Sequence, residues 1–378
     1  MKGKKILLAY RGNFVSCPRP KRLYLHLRNE NQVDICSLDT NSIEGVKSFP
    51  IIKKSMSPFS RLLKKICIKF KLDRWVSYSA ALDCELAISR EQMNEYDWIF
   101  VHDLALLPFF VHCSNKVIFD AREYYPRQYG ATNEWQQQLL DVYDYYCKSL
   151  LSKIPRKITV SQGIADEYKK YYDADFKVFK SFPVQDVIDS GKTIEIDNSK
   201  INLIHHGGCL PNRSMEKLIE FGGRLGSDYH LYLMLVWLDE KYYRSICALA
   251  EKYENITIIE PVGFQEIIPF ISQFDIGIHF LEDLEGQHAV SLPNKFFEFV
   301  AAGLMLLVTG SQEMITETRQ HKLGLAYDGV SDLGRLEEDL KGLSKQQINQ
   351  YRENARATAP NYDFGKQFET LVDELALH

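Results

Sequence analysis

Short apolar runs alternate with longer stretches in which apolar positions recur at helical spacing, over most of the chain. Runs at 6–10, 33–38, 98–102, 117–119 and 157–160 predict strands, and the amphipathic stretches 19–28, 78–93, 133–151 and 163–172 predict helices. The rhythm breaks between 182 and 200, where Pro183, Gly191, Asp197 and Asn198 read as a linker. It then resumes with strands at 201–205, 231–237, 256–259 and 276–280, separated by helices at 214–224, 241–253 and 264–273. A further helix spans 291–303, opened by Ser291 and Pro293 and closed by Gly303, and leads into an apolar strand at 304–309. Such alternation predicts an α/β class of parallel sheets with helices on both faces.

At 378 residues the chain exceeds the size of a single core, so two doubly wound domains are expected. Their predicted bounds are 1–182 for the first, 183–200 for the linker and 201–350 for the second. A C-terminal helical segment, 351–378, is expected to pack back on the N-terminal domain. Ligands of such sheets bind beyond the carboxyl ends of the strands, and the expected site is a cleft between the two domains.

Composition narrows the class without naming a function. With 45% hydrophobic and 25% charged residues the chain reads as globular. The apolar run at 6–10 is too short for a signal-peptide core, and nothing approaches a membrane span of about 18 apolar residues. A cytoplasmic location follows as the expectation. No two of the eight cysteines stand close enough for a CxxC pair, so they read as reduced thiols. Charge is uneven: residues 1–74 hold 17 Lys and Arg against 5 Asp and Glu, leaving 29 against 45 for the remainder. Within the basic half, 57–75 interleaves six Lys and Arg with apolar residues. Such a helix suits an anionic membrane surface, or packs on its own domain with a solvated basic face. Nucleic acid is disfavoured, because no recognised binding motif accompanies the charge.

Two stretches carry candidate chemistry in the second half. The run INLIHHGGCLPNRSMEKLIEF takes a strand into Gly207 and Gly208, then a loop, then a helix. Gly-rich strand-to-helix turns bring backbone amides near phosphate. Arg213 and Lys217, four apart, would share a helix face and hold a diphosphate. In SLPNKFFEFVAAG, Glu298 lies on a helix apolar nearly all round. A buried carboxylate needs a partner, and Lys295 on the same helix is one candidate. His102 stands at the carboxyl end of a strand; a core or capping histidine is the plain alternative. His205 and His206 are adjacent on a strand and cannot readily share a metal. Asp173 and Asp175 read as surface residues of a polar turn.

The segment Pro293-Asn294-Lys295-x-x-Glu298 after the strand Asp275-Ile-Gly-Ile278 resembles the donor-binding half of retaining GT-B glycosyltransferases of the family-4 kind. VHDLALLP (101–108), FDAREYYP (119–126) and ITVSQGIADEY (158–168) resemble the N-terminal half of the same family. The resemblance implies two Rossmann-like domains facing across a cleft. It implies a nucleotide-sugar donor, UDP- or GDP-type, serving as co-substrate with no other cofactor and no metal. Glu298 would bind the ribose hydroxyls, with Gly207, Gly208, Asn294 and Lys295 in the donor site. His102, Arg213 and Lys217 would be the catalytic set. The expected product is a saccharide or lipid-linked acceptor, glycosylated with retention during bacterial surface polysaccharide assembly.

Three departures stand out. Relatives often carry a glutamate eight positions before Glu298, where this chain has Val290, so sugar contacts would fall to His288 and Ser291. Cys209 replaces an arginine of the phosphate loop, and Arg122, beside Glu123, replaces a histidine. A nucleotide-sugar 2-epimerase of the same architecture, or a catalytically silent partner subunit, remains the alternative.

Overall fold

A computed structural model describes all residues except 16, 40–42, 44, 55–58, 60–61, 63–65, 67–83, 129–133, 184–186, 238, 282–286 and 378. The basic stretch 57–75 therefore lies almost entirely outside the described residues. The chain divides into two compact units, Met1–Lys180 with Gly365–His378, and Ser181–Phe364. Among the described residues no helix is long and apolar enough to cross a membrane.

Among the described residues, the first unit is built on eight strands: β1 (Lys5–Tyr10), β2 (Gln32–Ser37), β3 (Ser48–Lys53), β4 (Cys84–Leu86), β5 (Trp98–Val101), β6 (Val117–Ala121), β7 (Arg156–Thr159) and β8 (Lys177–Val178). Their order is β4-β3-β2-β1-β5-β6-β7-β8, with every neighbouring pair parallel except β3 with β4. The order runs outward both ways from β1, the hallmark of double winding. Central strands are buried on both faces: Ile6, Leu7, Leu8 and Ala9 are fully enclosed, which is why they read as unbroken apolar runs. The expected helix 78–93 is not there. Its later part is strand β4 and a short helix, Arg90–Asn94, opened by a capping box of Ser89 and Gln92; residues 78–83 fall outside the described ones. Pairing of β4 with β3 outweighs the helical spacing. Strands β3, β4 and β8 carried no clear apolar signal; β4 and β8 are the edges of the sheet, and β3 lies between β4 and β2.

The second unit holds β9 (Ile201–Cys209), β10 (Tyr229–Trp237), β11 (Ile256–Ile259), β12 (Ile276–His279), β13 (Met305–Thr309) and β14 (Gly324–Tyr327). They form one parallel sheet in the order β11-β10-β9-β12-β13-β14. Helices Met215–Arg224, Glu240–Ala250 and Leu333–Lys341 share a core with one face of this sheet, through Leu218, Ile246 and Leu336.

Two predicted boundaries move. The expected linker is not independent: Ile188 donates its amide to Gln265, Lys192 pairs with Glu266 at 2.9 Å, and the Ile194 amide meets the Gln273 side chain. The segment 351–378 is also split. Helix Lys345–Thr358 belongs to the second unit, where Arg352 donates to Asp275 at 2.7 Å and Ile348 and Ala355 are buried. Only the last helix, Phe364–Leu375, lies in the first unit. There Gln367 bonds both backbone groups of Lys180, and Phe368 packs on His26 and Phe179.

Candidate functional site

The second unit gathers a cationic patch at the carboxyl ends of β9 and β12. Strand β9 does not stop at His205 but runs on through Gly207 and Gly208 to Cys209, so the glycines are strand residues rather than a turn. Pairing with β10 continues to Cys209 opposite Trp237, and this extends the strand. Gly207 has φ +119, a conformation that side chains rarely adopt. A β-carbon there would lie 3.2 Å from the amine of Lys295. Gly208 has ordinary space, its nearest neighbour being Leu210 at 3.6 Å.

Arg213 does not share a helix face with Lys217. It ends a 3-10 turn, Pro211–Arg213; Ser214 then adopts left-handed backbone (φ 51), and the helix begins only at Met215. Pro211 and the left-handed Ser214 break the helical register that four-residue spacing assumed. Arg213 nonetheless acts on Lys295, whose amine is pushed down to about 7 by burial first and by the Arg213 guanidinium second, with Glu298 pulling the other way. His205 and His279 are held well below the usual histidine range, by burial first and then by Lys295. Both are thus neutral at pH 7. Lys217 is half-buried on the first turns of its helix.

The predicted helix 291–303 begins later, at Asn294, and runs to Ala301 with Pro293 in extended conformation at its N-cap; a separate turn, Gln287–Val290, precedes it. The carbonyl of Ser291 is tied by the hydroxyl of Ser311, which also caps the next helix. The His288 side chain lies outside the described residues. Asn294 and Lys295 occupy the first turn, half-buried, while Phe296 to Val300 are buried.

Glu298 is 5% exposed, and the histidine His206 lies beside it with Nε2 3.4 Å from Oε2, an ion-pair contact without hydrogen-bond alignment. His206, itself 4% exposed, stands edge-on to Phe299 with centroids 5.2 Å apart. Lys295, the partner expected from spacing, sends its amine toward Gly207 instead. Sequence reasoning missed this role of His206. Its signal was there: His206 immediately precedes the glycine pair, on the strand that runs into the site.

His102, Arg122 and Glu123 belong to the first unit. His102 is fully enclosed, and its Nδ1 lies 2.9 Å from Asp120 Oδ2. Arg19 grips the same carboxylate through Nε at 2.7 Å and Nη2 at 2.8 Å, and donates Nη1 to the Phe179 carbonyl. Burial alone would raise the Asp120 carboxyl, but Arg19 and His102 together hold it well below the usual carboxylate range. His102 is lowered by its own burial, with Asp120 partly offsetting that. Arg122 donates to the His102 carbonyl at 2.9 Å, contacts the Cys17 thiol at 3.3 Å and covers the Tyr10 ring. Glu123 offers its backbone carbonyl to the Tyr168 hydroxyl at 3.0 Å.

No protein-family model matches the chain, and no curated protein sequence matches it. Solved structures do. WaaG, a glycosyltransferase involved in lipopolysaccharide biosynthesis, aligns over 98% of this chain and 99% of its own at 13% identity, with a TM-score of 0.66. A glycosyltransferase from Rickettsia africae covers 99% and 98% at 13% identity and the same TM-score, 0.66. HepE of Anabaena, solved with UDP-glucose, covers 99% of both chains at 10% identity, also with a TM-score of 0.66. The chain therefore has the two-sheet α/β fold of these GT-B glycosyltransferases.

Proposed function

We propose that this protein is a glycosyltransferase that takes a nucleotide-diphosphate sugar in its second unit and transfers the sugar to a hydroxyl acceptor. The observation that carries the reading is the patch around Gly207: the Lys295 amine over a glycine backbone, Arg213 acting on it, and the Glu298 carboxylate four residues from Asn294 on the same helix. Cations beside a close-approach glycine suit a diphosphate, and a carboxylate next to them suits the vicinal hydroxyls of ribose. During transfer, negative charge grows on the leaving diphosphate. Preorganised cations stabilise it without reorganisation, and here Lys295 and Arg213 fill that role in place of a resident metal ion.

A retaining outcome follows from the likeness of Pro293-Asn294-Lys295-x-x-Glu298 to retaining enzymes. A role in surface polysaccharide assembly draws on WaaG, described as acting in lipopolysaccharide biosynthesis. A UDP-type donor draws on HepE, solved with UDP-glucose. Peripheral contact with an anionic membrane rests on the charge of 57–75 alone, and vesicle binding that ignores added salt would remove it.

The test is thermal stabilisation by nucleotides, which adds about 2.7 kcal/mol at 100 times the dissociation constant. UDP, GDP and their glucose conjugates should raise the melting temperature of the wild type and do so less in Glu298→Gln. That variant keeps size while removing a buried charge, so its own melting temperature should hold. A destabilised variant that binds nucleotide normally would overturn the ribose assignment. Release of UDP from UDP-glucose only with an acceptor present distinguishes transfer from epimerisation.

A further inference from the structure

Glu298 is a buried carboxylate with Lys295 on its own helix and His206 beside it, and the structure sends these two side chains in different directions. Lys295 leaves the helix toward Gly207, where its amine lies 3.2 Å from the position a β-carbon would take. His206 stays with the carboxylate, Nε2 at 3.4 Å from Oε2. The imidazole is fixed by what surrounds it. Strand β9 brings His206 to the same site as Gly207, and the Phe299 ring meets it edge-on with an interplanar angle of 89°. Phe299 can reach that position because β12 carries Gly277 beneath it; a β-carbon on Gly277 would collide with the Phe299 ring. A glycine, a phenylalanine and a histidine thus form a mechanical chain ending at the carboxylate.

Resting on the function proposed above, we propose that His206 is the positioning residue for Glu298. It holds the carboxylate for a ribose-type diol and leaves Lys295 to the anionic part of the ligand. Recognition of the nucleoside and of the diphosphate is thereby divided between His206 with Glu298 and Lys295 with Arg213. A purely structural histidine would support both parts of the ligand alike. A positioning histidine affects one.

The experiment compares UDP with inorganic diphosphate as probes, in wild type, His206→Gln and His206→Phe. Gln places an amide nitrogen near the Nε2 position; Phe places none. His206→Phe removes the close polar contact to the buried Glu298 carboxylate, so it should weaken UDP by about tenfold or more and leave diphosphate affinity unchanged. His206→Gln should restore most of the UDP affinity. Equal losses for the two probes, or no loss for either, would overturn the assignment. A ligand-independent arm uses the His206 ring nitrogen signals in NMR spectra, which should move on Glu298→Gln; unmoved signals would overturn the pairing even if His206→Phe does not fold. Should the wild type bind neither probe, the donor-site reading fails, while the ring signals still decide the pairing.

Discussion

The amine of Lys295 stands 3.2 Å from the point where Gly207 would carry a β-carbon, so a glycine on a strand and a lysine on a helix share one small space. Gly207→Ala tests that relationship. The new methyl must adopt φ near +119 and push the amine aside by a few tenths of an ångström. Strained backbone of this kind costs about 1–3 kcal/mol. The melting temperature should fall, and diphosphate affinity should fall with it. Gly208→Ala, with ordinary space around it, should change neither much, and calorimetric binding on both variants checks the contrast.

Lys295 gives the site a pH dependence. Its amine is pushed from an ordinary 10.5 to about 7 in the folded protein. Between those values the unfolded chain binds a proton that the folded chain does not, so stability contributed by this group rises with pH from about 7 to 10.5. Lys295→Met removes the buried amine and should flatten that rise in melting temperature. A bound diphosphate favours the ammonium form, so binding above pH 7 should take up a proton. Calorimetry in buffers of different ionisation enthalpy reads this directly, and an uptake of zero at pH 8 would remove Lys295 from the diphosphate site.

In the first unit, Asp120→Asn leaves the buried Arg19 charge without its partner, a loss of about 3–5 kcal/mol. Two groups here set acid sensitivity in the same direction. Asp120 is depressed when folded, so its contribution is present above the ordinary carboxylate range and lost as pH falls below about 4. His102 is lowered by burial, so below about 6.5 the unfolded chain binds a proton first and stability declines with falling pH. Wild-type melting temperature should decrease from about pH 6.5 downward, and Asp120→Asn should blunt the part below pH 4.

Gly277→Ala tests the packing beneath Glu298. The added methyl would lie 2.4 Å from the Phe299 ring, so ring or backbone must shift. Overpacking typically costs about 1–3 kcal/mol. Helix Asn294–Ala301 should shift with Phe299, so UDP affinity should fall more than the melting temperature alone explains. Unchanged UDP affinity in a folded Gly277→Ala protein would detach Phe299 from the site.

The chain's alternation of strands and helices determined two parallel α/β units, because strands buried on both faces must be apolar at every position, as Ile6–Ala9 and Met305–Val308 are. Sequence also determined that Glu298 needs a partner, since its helix is apolar nearly all round. Which partner it takes was beyond reach. Spacing along one helix offered Lys295, but contacts across elements depend on where β9 ends and how Phe299 fills the gap over Gly277. The same limit explains Arg213, whose four-residue spacing from Lys217 holds only if both lie on one helix; left-handed Ser214 separates them. Strands β3, β4 and β8, the last two at the sheet's edges, escaped notice because their stability comes from neighbouring strands rather than from an apolar run. Local pattern records what each segment must bury. Only the folded chain decides against what.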